Sequence, residues 1–318
     1  MNNNIKKVSV FVIITLAIIC ILQYGIDYVY KKRSTDKYAL LFRHEIDPEL
    51  MIFGSSTAIK HYNPRVIKKL TGLSYYNMGY DGLFYMQNIP LVKEYLTYVK
   101  NCKYMVISCS PYLGKDWGIM AADFFYPYMT DGPVYKYYHQ IEPAKVFKAR
   151  YVPGYKLTLL NKAFYWRIVH QPKADTNLGF EGINEINQVF DTIPPYMQIY
   201  DEDMLQQIKS LTREVSAKGI KVFLVMSPYY VEADKYMLNM KYILSRYKSI
   251  EDTSKGIYFM DYTTDTLALH KKYFFSHTHL NAEGNEIFSN TFSHDMMALI
   301  NKTQPTPNAL RPVERYTK

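Results

Sequence analysis

The sequence is poor in cysteine, since its 318 residues include only Cys20, Cys102 and Cys109. Three cysteines exclude the dense disulfide framework of small secreted domains. A metal-ligand spacing is also missing, because His277 and His279 are two residues apart, which in an extended loop sends them to opposite sides. No Cys or acidic cluster surrounds the two histidines. We therefore expect no metal site and no other cofactor.

Clusters of basic residues are missing as well. The formal net charge of +9 favours acidic partners in general. Lys and Arg are nevertheless scattered rather than gathered on one element, so nucleic acid is not a predicted partner. The chain instead contains 32 tyrosines, whose rings can be buried while the hydroxyl keeps its hydrogen bonds. Tyrosine-rich surfaces suit sugar or polymer contacts, although half-buried packing is the plainer explanation for most of these residues.

The N-terminus is predicted to be a membrane segment. From Val8 to Leu22 every residue is apolar or a small hydroxyl residue, which is close to the ~20 residues that a helix needs to cross a bilayer. Lysines lie on both sides of this run, so the positive-inside rule leaves its orientation open. The region before Tyr24 has no small-x-small cleavage site, and bulky isoleucines precede Cys20 where a lipoprotein needs small residues. Residues 1–33 are therefore predicted to be a retained signal anchor on a single-pass protein, with the globular part outside the cytoplasm.

Residues 34–302 alternate between predicted strands and helices. The strands, several of which are continuous apolar runs typical of parallel strands covered on both faces, are Leu50–Phe53, Ser74–Asn77, Lys103–Ser108, Ile220–Met226 and Ile257–Met260. The predicted helices are Pro64–Leu70, Phe84–Val99, Asp203–Lys218, Ala233–Tyr247 and Ala282–Ile300. This order predicts an α/β fold with a doubly wound, mainly parallel, five-stranded sheet of the flavodoxin-like type.

The alternation fails in residues 112–200, where Tyr, Phe and Pro are frequent. A helical insertion of this length after the third strand leaves the sheet at a strand's carboxyl end, so we interpret it as a candidate lid or substrate platform. A helical subdomain that only covers the sheet is the equal alternative. Residues 303–318, which contain three prolines and show no periodicity, are predicted to be a flexible tail.

Two short motifs near opposite ends of the chain contain a serine and a histidine that could belong to one site. Residues 51–56 form an apolar strand that runs into a Gly-Ser-Ser turn, where a serine hydroxyl can stand clear at the carboxyl end of a sheet. Residues 279–284 put a histidine on a loop just before a helix. Because serine is a poor nucleophile without an adjacent base, we expect the fold to bring Ser56 and His279 together.

With these motifs the chain resembles the SGNH, or GDSL-type, superfamily of esterases and acyltransferases. That family carries its nucleophile in a Gly-Asp-Ser or Gly-Ser-Ser turn, which falls here on residues 54–56. Its Asn-x-Gly-x-x-Gly block matches residues 77–82, and its histidine, followed by Leu-Asn, matches residues 279–281. The resemblance implies that Ser56 is the nucleophile, that His279 is the general base, and that the N–H groups of Ser56 and Gly82 form the oxyanion hole.

Two positions depart from the family pattern. Three residues before the histidine, where the family has its aspartate, stands Ser276, which can accept the imidazole N–H but carries no charge. This predicts a Ser-His dyad, unless Asp261 or Asp265 supplies the acid. After the third strand the family has an oxyanion-hole asparagine, whereas here the strand runs into Cys109-Ser110. Ser110 is the candidate to donate a hydroxyl in its place.

The resemblance extends to proteins of alginate O-acetylation and teichoic-acid D-alanylation, which are also anchored by one N-terminal helix. It implies a membrane-anchored serine esterase or O-acyltransferase that acts on acyl esters of a cell-envelope polysaccharide, with a membrane-bound acyltransferase as a candidate partner. Water as the acceptor gives an esterase, and a sugar hydroxyl gives an O-acyltransferase. The missing aspartate and asparagine leave a second function open, that of an inactive SGNH-fold protein which binds or assembles the polymer.

Overall fold

The computed structural model describes residues 3–115, 123–128, 132–159, 165, 177–183 and 194–301, and within them the chain divides into two units. The first, here called the sheet unit, consists of Ile46–Val92, Val99–Asp116 and Thr176–Lys318. The second, here called the helical unit, consists of Met1–Glu45, Lys93–Tyr98 and Trp117–Asp175. The sequence passes between the two units several times, so neither is one continuous segment.

Five parallel strands form the centre of the sheet unit: β1 (Leu50–Phe53), β2 (Tyr75–Asn77), β3 (Tyr104–Ser108), β4 (Lys221–Met226) and β5 (Ile257–Asp261). Their spatial order is β2-β1-β3-β4-β5, and every pairing in it is parallel. The winding direction reverses between β1 and β3, so the sheet is doubly wound, as the sequence predicts. In sheets of this kind ligands bind beyond the carboxyl ends of the strands at that reversal.

The described helices are, in chain order, α1 (Asn3–Arg33), α2 (Lys37–Phe42), α3 (Ser56–His61), α4 (Pro64–Thr71), α5 (Tyr85–Tyr95), α6 (Gly132–Ile141), α7 (Pro143–Tyr151), α8 (Tyr155–Leu159), α9 (Glu202–Ala217), α10 (Val231–Asp234), α11 (Met240–Lys248) and α12 (Ala282–Asn301). The start of α4 shows why the sequence places a boundary there. Asn63 Oδ1 accepts the N–H of Arg65, and Pro64 occupies the first turn, where its missing N–H costs nothing.

The core of the sheet unit lies between the sheet and the last helix. Every residue of β1 is buried. Ile52 of β1 and Val106 of β3 belong to one apolar cluster with Phe288 and Phe292 of α12, and burial of each such side chain contributes roughly 2 kcal/mol to folding. The long apolar strands therefore fix the sheet, and the helices that follow β1 and precede the C-terminus are held against it.

One local prediction is wrong, and two elements were not predicted. The predicted helix Ala233–Tyr247 is wrong as a single helix, because the backbones of Tyr236 and Leu238 hydrogen-bond to Tyr196 and separate α10 from α11. The six-residue helix α3 was not predicted. A two-stranded antiparallel sheet, β6 (Phe274–Ser276) with β7 (His279–Leu280), was also not predicted. The last two elements carry the predicted site residues.

In the helical unit, α1 contains a 29-residue stretch, Asn4–Lys32, that is long and apolar enough to cross a membrane, and an 18-residue window within it has a mean hydropathy of 2.5. A signal sequence near the N-terminus has the same properties, so length and composition alone fit either reading. Within the predicted insertion, residues 112–200, the structure describes α6, α7, α8 and a 3₁₀ helix at Asp123–Tyr128. Much of the rest of the insertion, and the predicted tail 303–318, lie outside the described residues. The domain boundaries and the lid stay predictions.

Candidate active site

Ser56 stands at the first position of α3, directly after β1. The turn between strand and helix depends on Gly54, because a side chain there would come within 2.7 Å of Ser108 Cβ and 2.8 Å of Ala58 Cβ. The glycine φ of 155° adds to this requirement. The Gly-Ser-Ser motif thus places the Ser56 hydroxyl at the carboxyl end of β1 and at the N-terminus of α3.

His279 lies against Ser56. The His279 Nε2 atom is 2.7 Å from Ser56 Oγ. On the other side of the ring, Nδ1 is 2.8 Å from Ser276 Oγ and 3.2 Å from Thr278 Oγ1. When Nδ1 carries the proton and donates it to Ser276, Nε2 is left as an acceptor for the Ser56 hydroxyl. The fold therefore brings together Ser56, His279 and Ser276 in the order that a serine nucleophile, a base and an orienting group require.

No carboxylate contacts His279 among the residues that the structure describes. Asp261 Oδ1 accepts both the N–H and the hydroxyl of Thr263. Asp265 accepts the N–H of Leu267 at the start of a 3₁₀ turn. The orienting partner of the imidazole is thus a neutral hydroxyl, and neither aspartate takes the place of the family acid.

The surroundings of His279 favour its neutral form. Burial lowers the pKa of His279 to about 4, with a further lowering by the ammonium group of Lys60 and an opposing contribution from Asp81. Lys60 and Asp81 form an ion pair, with Nζ 2.9 Å from Oδ2. Because no described carboxylate hydrogen-bonds to the ring, and Asp81 only partly offsets burial and Lys60, His279 is an available acceptor across the neutral pH range but a weaker base than one paired with a carboxylate.

Residues 77–82, which match the second block of the SGNH pattern, are hydrogen-bonded to α3 and to the turn before it. Asn77 is fully buried, and its side chain accepts the N–H of Gly79 at 2.8 Å while donating to the carbonyl of Ala58 at 2.7 Å. The N–H of Tyr80 donates to the carbonyl of Gly54 at 3.3 Å. These bonds hold the turn of residues 77–82 beside the turn that carries the serine.

Gly82 ends that turn with a φ of 72°, a left-handed conformation that glycine adopts readily. Within the described parts of the chain, no acceptor pairs with the N–H of Gly82 or with that of Ser56. Both predicted backbone donors are thus unused by the protein itself. Ser110 Oγ accepts the N–H of Tyr112 at 3.1 Å, which leaves its own O–H as a donor, but it makes no contact with Ser56 or His279.

His61, the last residue of α3, was missed by the sequence analysis. The ring is fully buried, its Nδ1 lies 2.9 Å from Ser227 Oγ, and its Nε2 accepts the N–H of Leu280 at 3.1 Å. Acceptance at Nε2 assigns the proton to Nδ1, which donates to Ser227. Burial holds the pKa of His61 well below its usual value. No motif signals this residue, because its partner Leu280 is 219 positions away in the sequence.

The described residues contain no group of three or more His, Cys, Asp or Glu that could hold a metal ion. Cys20, Cys102 and Cys109 are free thiols. Burial raises the pKa of the Cys109 thiol, so this cysteine at the end of β3 stays protonated and is a poor nucleophile. Ser56 is the better candidate for a nucleophile at this rim of the sheet.

Sequence comparison matches the chain to no family model and to no curated protein. Solved structures with a similar fold include a candidate platelet activating factor from Streptococcus pneumonia, at 11% identity over 91% of this chain and 98% of that chain, with a TM-score of 0.43. A candidate acylhydrolase from Bacteroides fragilis is 15% identical over 87% and 99% of the two chains, with a TM-score of 0.43. A GDSL-like lipase from Bacteroides thetaiotaomicron is 15% identical over 86% and 97%, with a TM-score of 0.40. Likenesses this low carry no argument about the reaction.

Proposed function

We propose that this protein is a membrane-anchored SGNH-type serine esterase or O-acyltransferase that acts on acyl esters of a cell-envelope polysaccharide. The observation that carries the proposal is the contact of 2.7 Å between Ser56 Oγ and His279 Nε2 at the carboxyl end of β1. The unused N–H groups of Ser56 and Gly82 support it, as does the match of three sequence blocks to the SGNH pattern.

In the proposed reaction, His279 Nε2 takes the proton of Ser56 while the serine oxygen attacks the ester carbonyl. The tetrahedral oxyanion accepts hydrogen bonds from the N–H groups of Ser56 and Gly82, and one such donor is worth about 3–4 kcal/mol in hydrolases. Collapse of the intermediate expels the alcohol, which takes the proton from His279, and leaves an acyl-serine. Water or a sugar hydroxyl then attacks the acyl-serine while His279 accepts its proton. Collapse of this second intermediate breaks the bond to Ser56 Oγ, which takes the proton back from His279, and releases the acid or the new ester.

Ser276 has a limited part in this scheme. Its hydroxyl orients the imidazole through the 2.8 Å contact to Nδ1. It carries no charge to stabilise the imidazolium that forms when His279 takes the proton. We therefore expect a slower enzyme than one with an aspartate at this position.

Other features support the membrane anchor and the polymer substrate of this proposal. The apolar helix α1 is the proposed anchor. The envelope polysaccharide, and a membrane-bound acyltransferase as the partner that supplies acyl groups, follow from the resemblance to polymer-modifying SGNH proteins. The abundance of tyrosine, with 32 residues, suits contacts to a sugar polymer.

The test is labelling of the full-length protein with a fluorophosphonate probe, which reacts with an activated serine. Ser56→Ala should abolish labelling. Ser55→Ala is the matched control, since this neighbouring hydroxyl makes no helix-capping bond and lies 3.5 Å from the Thr57 hydroxyl. Labelling that survives Ser56→Ala but not Ser55→Ala would show that the nucleophile is misassigned.

The absence of a described carboxylate partner for His279 favours a second candidate function. In this alternative the protein keeps the fold and the polymer site but has no turnover, and it assists a membrane acyltransferase by binding the polymer. It predicts no probe labelling, no hydrolysis of any acyl ester, and polymer binding that Ser56→Ala leaves unchanged. Labelling that depends on Ser56 would reject it.

A further inference from the structure

The long helix α1 has two parts with different surroundings. From Val8 to Ile18 every side chain is exposed, including the 70% exposed ring of Phe11. Farther along, Ile19, Gln23 and Asp27 are half-buried at intervals of four residues, which places them on one face of the helix. Tyr30 is fully buried. The second part of α1 therefore belongs to the folded helical unit.

The partner of this face is the corner between α7 and α8, residues 147–156, here called the α7–α8 corner. The N–H of Gly154 donates to Gln23 Oε1 at 3.0 Å. A side chain at Gly154 would come within 2.7 Å of Ile19 Cγ2, so only glycine allows this approach. The φ of Gly154 is 79°, a left-handed conformation that also favours glycine. Lys156, which is 4% exposed, forms an ion pair with Asp27. Three separate contacts thus tie the corner to α1.

These contacts also fix the depth of the corner. The 29-residue span of α1 is about 43 Å long, close to the full thickness of a bilayer with its headgroups. Ile19 lies within the apolar run, and Gln23 is the first residue after it. Tyr24 and Tyr28 follow on exposed positions, where tyrosines mark the boundary between hydrocarbon and water. A corner that meets α1 between Ile19 and Asp27 therefore lies at that boundary.

The exposed surface of the corner has a composition that suits this depth. Phe147, Tyr151 and Val152 are 55%, 57% and 43% exposed. Lys148 and Arg150 lie between them in the sequence and are exposed as well. Single exposed apolar residues are ordinary, but large apolar side chains alternating with cations on a helix end are typical of an interfacial membrane contact.

We infer that the α7–α8 corner is a second membrane contact, which buries Phe147, Tyr151 and Val152 among the lipid headgroups beside α1, with Lys148 and Arg150 facing anionic lipid phosphates. This inference rests on the proposed anchoring by α1 and extends it. The anchor is then an integral part of the helical unit, because cleavage beyond Asp27 would remove the acceptor of the Gly154 N–H and leave the buried Lys156 without its ion-pair partner.

The test uses the full chain in liposomes that contain phosphatidylglycerol, with Cys20→Ser to remove the exposed thiol. A spin label is attached in turn at Phe147→Cys, Val152→Cys and Phe11→Cys. We expect all three labels to be relaxed more by oxygen, which concentrates in lipid, than by a water-soluble nickel complex. The order of depth should be Phe11 deepest and the two corner positions shallower.

The possible results distinguish the second membrane contact from the anchoring by α1. A protected label at Phe11 with water-exposed labels at Phe147 and Val152 would overturn the second contact and leave the anchor intact. A water-exposed label at Phe11 would overturn both. In liposomes of phosphatidylcholine alone, the corner labels should become several-fold more accessible to the nickel complex, whereas the label at Phe11 should not change. Equal accessibility of the corner labels in the two liposomes would overturn the pairing of Lys148 and Arg150 with anionic lipid.

Discussion

The N–H of Leu280 donates to His61 Nε2 at 3.1 Å, and this bond ties the two halves of the proposed dyad together. His61 is the last residue of α3, whose first residue is Ser56. Leu280 directly follows His279 in β7. One buried imidazole therefore holds the strand of the base against the helix of the nucleophile, and Ser227 fixes that imidazole from its other nitrogen.

The first prediction concerns this brace. His61→Ala leaves the buried N–H of Leu280 without an acceptor, which should cost about 1–3 kcal/mol of stability and lower kcat on a small acyl ester. In His61→Gln the side-chain oxygen can still accept that N–H, so both losses should be smaller. Thermal unfolding and steady-state kinetics measure the two effects. Equal losses in the two variants would show that the volume of the ring matters and the acceptor does not.

The second prediction is that Ser56 and His279 act as a unit. Ser56→Ala and His279→Ala should each remove nearly all activity on a small acyl ester. The double variant should be scarcely slower than either single variant, because each substitution already abolishes the same step. The measurement is kcat/KM for the three variants. Additive losses would indicate that the two side chains contribute independently, contrary to the 2.7 Å contact.

The third prediction concerns the position of the missing acid. Ser276→Ala should lower kcat only modestly, since the Thr278 hydroxyl also lies 3.2 Å from Nδ1 and can orient the ring. Ser276→Asp places a negative charge beside the imidazole and should raise both the activity and the pKa of His279. Kinetics of the two variants at neutral pH provide the check. A slower Ser276→Asp enzyme would mean that the site is built around a neutral partner.

The fourth prediction is the pH profile. Activity needs neutral His279, and since its pKa is lowered to about 4, activity should persist as the pH falls and be lost only as the pH passes through about 4. An unshifted histidine would lose activity near pH 6.5, at its reference pKa of about that value. In Ser276→Asp this acidic limb should move to higher pH. The dependence of kcat/KM on pH gives the result, and an acidic limb near 6.5 in the wild type would contradict the burial argument.

Apolar runs and turn residues were enough to predict the sheet and most of its helices. The run Leu50–Phe53 coincides with β1, and the asparagine and proline at residues 63–64 mark the start of α4. The pairing of Ser56 with His279 was predicted from motifs, because a serine in a turn after an apolar strand needs an adjacent base. α3 is too short for helical periodicity to reveal it, and β7 has only two residues. His61 was not predicted because its role depends on a contact between distant parts of the chain.

The ion pair between Asp27 and Lys156 joins residues that are 129 positions apart, and this separation has a consequence for biogenesis. If α1 is the membrane anchor proposed above, it reaches the membrane first during translation, while its polar partners Gly154, between α7 and α8, and Lys156, on α8, are not yet synthesised. The first strands of the sheet unit emerge in between, and α12, which completes that unit, comes last. In the proposed anchoring, α1 therefore inserts before either unit can fold, and Asp27 stays without its ion-pair partner at the bilayer surface until Lys156 has been synthesised.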